Sequence, residues 1–440
     1  MSFLDYVKSR VEHGMINQDP VVASDEFTTE VLEVSTPSIS NAQLHLRGDL
    51  TKVKYTSYGA VEVGGYMQNS INGLQMITEF MTDALVFEFK SYRNGGMYTI
   101  EIDGKIANPE GTILTKPETG IGPVNFVKVT AKEGVTKKFR HFKIYSVNTA
   151  FAGFYTEAKD TMTSDINKTG RKFIFQLGDS YTFGTGGGFP GQAYGSSPAI
   201  NDFYSFRESL GLDGIAEGIG GSAWTSSEAG RVPATRVQTR LAKLEGAKPD
   251  FVSLALGLND AVSIASNITK QNLLKQRMID CIDEVRKTLP GVPIIAISCA
   301  TPVGPNNETS KVFDLVKDVC SKKSIEFIDV SDVIKQYNGW DLYTSNNAAG
   351  ADQNHPTPLG HRVRGLHMLK KAREAAISGV SLIPEIKPIG FTVTYIERLR
   401  FAVDVKREVV QAKTADEAYW VVKSREYSNP DLRIEIISVA

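Results

Sequence analysis

The sequence predicts an α/β domain built on a parallel sheet, preceded by a β-rich sandwich and followed by a small α+β piece. Two observations carry this. Between about residues 172 and 377, short apolar runs alternate with stretches whose apolar residues recur every three or four positions. Buried parallel strands joined by crossover helices read this way. Before them, roughly the first 165 residues read as short alternating strands parted by Gly, Asn and Asp turns. That pattern fits a β-sandwich or jelly roll. The predicted division is 1–165 (sandwich), 166–380 (α/β domain) and 381–440 (connector and α+β piece).

Length and composition agree with several globular domains. At about 150 residues per domain, 440 residues suggest about three. The 41% hydrophobic and 22% charged content excludes wholesale disorder. With 49 Lys+Arg against 50 Asp+Glu the formal charge is −1, which argues against a nucleic-acid partner. Cys281, Cys299 and Cys320 are odd in number and lack metal-ligand spacing, so they read as buried free thiols. The first ten residues hold no apolar run of signal-peptide length, and no run reaches the ~18 residues of a membrane span. The expectation is a soluble chain, cytoplasmic unless a signal has been trimmed, with no membrane partner.

The elements follow in order. Residues 3–13 suggest a short helix. Residues 85–89 and 98–102 read as strands flanking Arg93-Asn94-Gly95-Gly96, and Asp103-Gly104 is a turn signal. Residues 126–130 and 139–145 alternate apolar and polar. In the central segment, strands are predicted at 173–177, 251–256, 293–298 and 325–330, with helices at 237–244, 273–289, 312–320 and 359–376. After a connector at 382–388 bearing Pro384 and Pro388, the tail reads strand (400–410), helix (414–423) and strand (432–439). Thr414 and Glu417 form a capping-box-like start for that helix.

Open parallel sheets bind ligands at the carboxyl ends of their strands. Four short segments in or near such positions carry chemistry. Gly178-Asp179-Ser180-Tyr181 follows the first strand and offers a serine on a tight turn. A serine nucleophile needs a base within hydrogen-bond reach. Gly218-Ile219-Gly220-Gly221-Ser222 lets a backbone N–H approach a ligand, and Gly221 is chosen over Gly220 as the donor. Gly257-Leu258-Asn259-Asp260 follows the second apolar run and offers an amide to a developing oxyanion. In Asp352-Gln353-Asn354-His355-Pro356, a carboxylate three residues before an imidazole can fix its tautomer and leave Nε2 as base. Each segment alone is weak; an ordinary turn explains any one of them.

Together, and in this order, the four segments resemble the SGNH (GDSL-type) hydrolases. Ser180, Gly221, Asn259 and His355 match the four blocks of that family over about half the chain. The chain departs from the family pattern in carrying Tyr181 where the eponymous motif has leucine, and no asparagine shortly precedes Gly221. The resemblance implies a three-layer α/β/α, flavodoxin-like fold and ester hydrolysis through an acyl-serine. It implies Ser180 as nucleophile, His355 as base and Asp352 as its orienter. It further implies an oxyanion hole of the Ser180 N–H, the Gly221 N–H and the Asn259 side chain, with no cofactor and no metal. A β-rich domain ahead of such a hydrolase looks like two-domain carbohydrate esterases that remove acetyl groups, and a phage tail-associated deacetylase fits the same layout. An acetylated carbohydrate or other small acyl ester is the expected partner. The terminal domains could take a second copy or a virion component. The rival expectations are a lipid or thioester acyl hydrolase and a glycan-binding virion protein with a vestigial site.

Other residues have blander readings. Gly186-Gly187-Gly188-Phe189-Pro190-Gly191 spells a glycine fingerprint, but Pro190 interrupts the helix that a dinucleotide site needs. His361 and His367 are six apart, unlike a metal pair, and read as packing or surface residues. Asp179 and Asp260 read as loop stabilisers. Trp224, Tyr181 and Trp340 either line a substrate pocket or pack in the core.

Overall fold

A computed structural model of the chain describes residues 1–17, 26–32, 42–45, 54–55, 60–63, 66–69, 75–92, 97–107, 112–113, 125–147, 150–163, 171–184, 201–228, 230–241, 248–298, 306–333, 355–356, 358–377, 389–399, 402–412 and 432–439. The N-terminal strands form two antiparallel sheets. One includes Phe27–Leu32, Asn125–Ala131, Val86–Tyr92 and Ala150–Glu157; the other includes Met97–Ile102, Arg140–Val147 and Gln75–Thr82. Alternation aims Phe87, Phe89 and Val127 of the first sheet at Phe80, Ile100, Phe142 and Ile144 of the second. The Phe80 and Phe142 rings stack with centroids 5.5 Å apart, and Phe87 meets Phe142 edge-on at 4.9 Å. The sequence runs 85–89 and 98–102 lie in different sheets. The hairpin is Met97–Ile102 with Lys105–Ile106, closed by Asp103 (φ 50°) and Gly104 (φ 83°).

The central sheet has five parallel strands: β1 (Phe173–Gly178), β2 (Asp213–Gly218), β3 (Phe251–Ala255), β4 (Ile294–Ile297) and β5 (Glu326–Ile328). Their order, β2-β1-β3-β4-β5, reverses direction between β1 and β3, the kind of switch point at which open α/β sheets bind ligands. The helices are α1 (Phe3–Glu12), α2 (Ser180–Phe183), α3 (Asp202–Ser209), α4 (Pro233–Leu241), α5 (Ile268–Thr288), α6 (Asn307–Lys323) and α7 (Pro358–Ala376). Apolar residues of α4, α5 and α6 pack on one sheet face with Phe175, Leu177, Val252 and Leu254. Those of α1, α3 and α7 pack on the other with Ile174, Phe251, Ile295 and Ile297. The result is a three-layer α/β/α domain. Helix α1 belongs to it by packing, although the whole sandwich separates it in sequence. Phe3 meets Phe251 edge-on at 5.4 Å, and the Tyr6 hydroxyl donates to the Leu210 carbonyl at 2.9 Å.

Sequence reasoning passed over β2. Its run Asp-Gly-Ile-Ala-Glu-Gly has only two apolar residues and two glycines, poor strand material by propensity. Six-residue pairing with β1 and the burial of Gly214 to Gly218 override that, because Glu217 finds arginine partners inside. At the tail, Ile389–Leu399, Ala402–Ala412 and Leu432–Val439 form a three-stranded antiparallel sheet. The strand expected at 400–410 is thus the second arm of a hairpin, whose first arm starts directly after Pro388. The helix expected at 414–423 lies outside the described residues.

Candidate active site

Strand β1 ends at Gly178, and the chain turns at once into α2. Asp179 caps that turn, its carboxylate accepting the Tyr181 N–H at 3.0 Å. The turn is pressed against the end of β2. A Cβ on Gly218 would lie 2.6 Å from the Asp179 carbonyl oxygen and 2.7 Å from Phe183 Cα, so only glycine fits there. From the other side Arg236 of α4 donates through Nη2 to the Gly178 carbonyl (2.8 Å) and the Glu217 carbonyl (2.9 Å), while Nε donates to the Glu217 carboxylate. Arg236 and Glu217 are fully buried. Arg236→Met should therefore leave a buried carboxylate half-paired and cost about 3–5 kcal/mol. Denaturant unfolding of parent and variant measures this.

The turn presents Ser180, which is 7% exposed. Its Oγ lies 2.8 Å from His355 Nε2, across 175 residues of sequence. With Nε2 unprotonated, the hydroxyl donates to it. The Tyr181 ring packs edge-on against the imidazole at 5.6 Å, with the Arg364 guanidinium over the same ring at 4.3 Å. Asp352 and Trp340 lie outside the described residues, as does the glycine run 186–191.

The next two segments meet each other. Gly221 is exposed with φ 73°, in a turn closed by the Ser222 N–H on the Ile219 carbonyl. The Asn259 amide donates to the Ser222 carbonyl at 2.8 Å, and its Nδ2 carries a second hydrogen. Asp260 fastens the same loop. Its carboxylate accepts the Trp224 N–H (2.7 Å), the Thr225 N–H (3.0 Å) and the Thr225 hydroxyl (2.8 Å). Burial pushes the Asp260 carboxyl up, and these donors pull against it. The β2 and β3 loops are thus one unit at the sheet's switch point, beside the serine turn.

Of the two roles open to Trp224 and Tyr181 in sequence, both residues show the packed one. Trp224 is fully buried in the core, its indole N–H donating to the Leu256 carbonyl at 3.1 Å. Tyr181 is 2% exposed and packs on His355. An aromatic residue beside an active-site motif satisfies either role in sequence; burial decides for support. His361 and His367 are also buried, and His367 Nε2 lies 2.8 Å from Asp332. Cys281 and Cys320 are buried free thiols, and burial pushes Cys320 up to about 12. Among the described residues no group of three or more His, Cys, Asp or Glu could hold a metal ion, and no helix is long and apolar enough to cross a membrane.

Asp179 itself is fully buried, and burial pushes its carboxyl up to about 7, against the Tyr181 N–H and the Arg364 and Arg236 charges. Asp202 adds to the rise. A carboxyl raised in the folded state binds its proton more tightly there than when unfolded. Its contribution to stability therefore falls as pH climbs from the ordinary carboxylate range to about 7, then levels off. Asp179→Asn keeps the capping acceptor and removes the titration. The variant should gain thermal stability over the parent at pH about 8, and the gain should shrink at pH about 4.5. Calorimetry at both values checks this.

Residues 177–363 match the family model of the GDSL-like lipase/acylhydrolases. This segment is a GDSL-like acylhydrolase domain. Solved structures share the architecture over most of the chain. A salicylyl-acyltransferase from a tetracycline biosynthetic pathway has 13% identity and a TM-score of 0.54, covering 78% of this chain and 100% of its own. A family two carbohydrate esterase from Clostridium thermocellum has 14% identity and a TM-score of 0.55, covering 75% and 99%. An acetyl xylan esterase from the rumen bacterium Butyrivibrio proteoclasticus has 13% identity and a TM-score of 0.51, covering 74% and 96%. At these identities the likeness establishes the fold. No curated protein sequence matches the chain. The GDSL-like domain thus contains the Ser180–His355 pair and the fastened loops of Gly221 and Asn259.

Proposed function

We propose that this protein is a serine esterase that removes O-acyl groups, above all O-acetyl, from a carbohydrate. The observation that carries the reading is the 2.8 Å contact between Ser180 Oγ and His355 Nε2 inside a GDSL-like domain. Ser180 Oγ attacks the ester carbonyl carbon while His355 Nε2 takes its proton. The carbonyl oxygen becomes an oxyanion that accepts from the Ser180 N–H, the Gly221 N–H and the second Asn259 amide hydrogen. Collapse breaks the ester C–O bond, and His355 gives the proton to the departing sugar oxygen, which leaves as a hydroxyl. Water then attacks the acyl-serine by the same route and frees the carboxylic acid. Asp352 is assigned the His355 Nδ1–H, which fixes the tautomer this sequence of steps requires.

The acetyl and carbohydrate assignments rest on neighbours described as an acetyl xylan esterase and as family two carbohydrate esterases. Acetate release from acetylated xylan, and faster turnover of p-nitrophenyl acetate than of the octanoate, are the expected results. Preference for the octanoyl ester with no acetate from any acetylated glycan would favour a lipid or thioester substrate instead.

A further inference from the structure

We infer that the N-terminal sandwich takes part in catalysis: its Glu101 is a positioning residue that fixes the Ser180–His355 pair through helix α3. The inference rests on the reading of Ser180 as nucleophile.

Glu101 lies on the outer face of the sandwich strand Met97–Ile102, yet it is 3% exposed. The α/β domain covers it. Its Oε2 accepts the Tyr145 hydroxyl at 2.8 Å and the Tyr204 hydroxyl of α3 at 2.9 Å. Lys143 Nζ sits 3.6 Å from Oε1. Arg207 of α3 lies over the Tyr204 ring at 4.7 Å and donates to the Tyr145 hydroxyl at 2.9 Å. Burial pushes the carboxyl up, but Lys143, Arg207 and the two hydroxyls outweigh it and hold Glu101 ionised. A buried carboxylate with this many partners has little freedom to shift.

One turn before Tyr204, the same helix grips both members of the catalytic pair. Asn201 caps α3, accepting the Tyr204 N–H at 2.7 Å, and its Nδ2 donates to the Thr182 carbonyl in the serine's own turn at 2.9 Å. Asp202 accepts from Arg364 of α7 through Nε (3.2 Å) and Nη2 (3.0 Å). Helix α7 begins three residues after His355, and Arg364 covers the Tyr181 ring that packs on the imidazole. The two helices touch closely: a Cβ on Gly365 would lie 2.7 Å from Ser205 Cβ and closer still to the Asp202 carbonyl. Asn201 thus holds the nucleophile, Asp202 holds the helix that follows the base, and Tyr204 ties both to the sandwich. A shift of about 1 Å in such a pair can cost about a hundredfold in rate.

The alternative is that the cluster only joins two domains. Full-length parent, Tyr204→Phe, Glu101→Leu, Glu101→Gln and Asp213→Asn separate the two. Tyr204→Phe removes one hydroxyl and keeps the ring. Glu101→Gln keeps an acceptor. Asp213 is at the same junction, 3.3 Å from Lys143 and 3.6 Å from Arg171. The readouts are the rate at which a fluorophosphonate labels Ser180, kcat and KM on p-nitrophenyl acetate, and thermal midpoint. Tyr204→Phe and Glu101→Leu should slow labelling and lower kcat about 10- to 100-fold with KM nearly unchanged. Glu101→Gln should recover most of the loss. The Tyr204→Phe/Glu101→Leu double variant should be no slower than Glu101→Leu alone. Asp213→Asn should lower the midpoint yet label at the parental rate. Parental labelling in Tyr204→Phe, or equal slowing in Asp213→Asn, would overturn the inference. If Glu101→Leu fails to fold, Tyr204→Phe decides alone. A parent that labels no faster than Ser180→Ala would overturn the nucleophile reading, and this inference with it.

Discussion

Ser180→Ala is expected to lower ester turnover by about 10⁴-fold or more. In the proposed mechanism this hydroxyl forms the acyl-enzyme, and it sits 2.8 Å from His355 Nε2. Its removal should not disturb the fold. The turn is held by the Asp179 cap, by Arg236 on the Gly178 carbonyl and by Asn201 on the Thr182 carbonyl, none of which uses Ser180 Oγ. An unchanged thermal midpoint beside lost acetate release is the combined result to look for. Residual turnover would reflect oxyanion binding without a covalent step.

His355→Ala is expected to cost a similar factor, about 10⁴-fold, for a different reason. The serine remains, but nothing takes its proton as it attacks. A neutral alcohol is a poor nucleophile near neutrality, so the residual rate should climb steadily with pH as hydroxide replaces the base. In the parent the imidazole takes that proton, so its rate near neutrality should not depend on hydroxide. Profiles of kcat/KM over about pH 6–9 for parent and variant separate the two shapes. A variant that kept the parental profile would remove His355 from the reaction.

How much of this was legible in sequence follows from distance along the chain. The turn that carries Ser180 was legible because a buried run ending at Gly178 places this serine at a strand's carboxyl end by position alone. His355, 175 residues further on, was legible only through the motif set. The contacts of α3 and α7 around the pair leave no local trace in sequence. Strand β2 was missed because its stability comes from Glu217 meeting Arg236 and Arg240, partners 19 and 23 residues away. Alternation in residues 98–102 and 139–145 is consistent with the inward Ile100 and Phe142. The same logic assigns Glu101, Lys143 and Tyr145 to a solvated face. They are buried instead, because a second domain covers that face, and no period-2 pattern reports what lies on the far side of a sheet. For Trp224 and Tyr181 the sequence left pocket lining and packing open, because an aromatic residue beside a motif suits both; burial shows them packed.

Trapping the covalent intermediate tests the central claim most directly. The protein is mixed with p-nitrophenyl acetate, quenched in acid and digested, and the peptides are weighed. An acetyl group on the peptide bearing Ser180, absent from Ser180→Ala, is the result expected. Acetate release by the parent with Ser180 unmodified, or with the acetyl group on another residue, would contradict it.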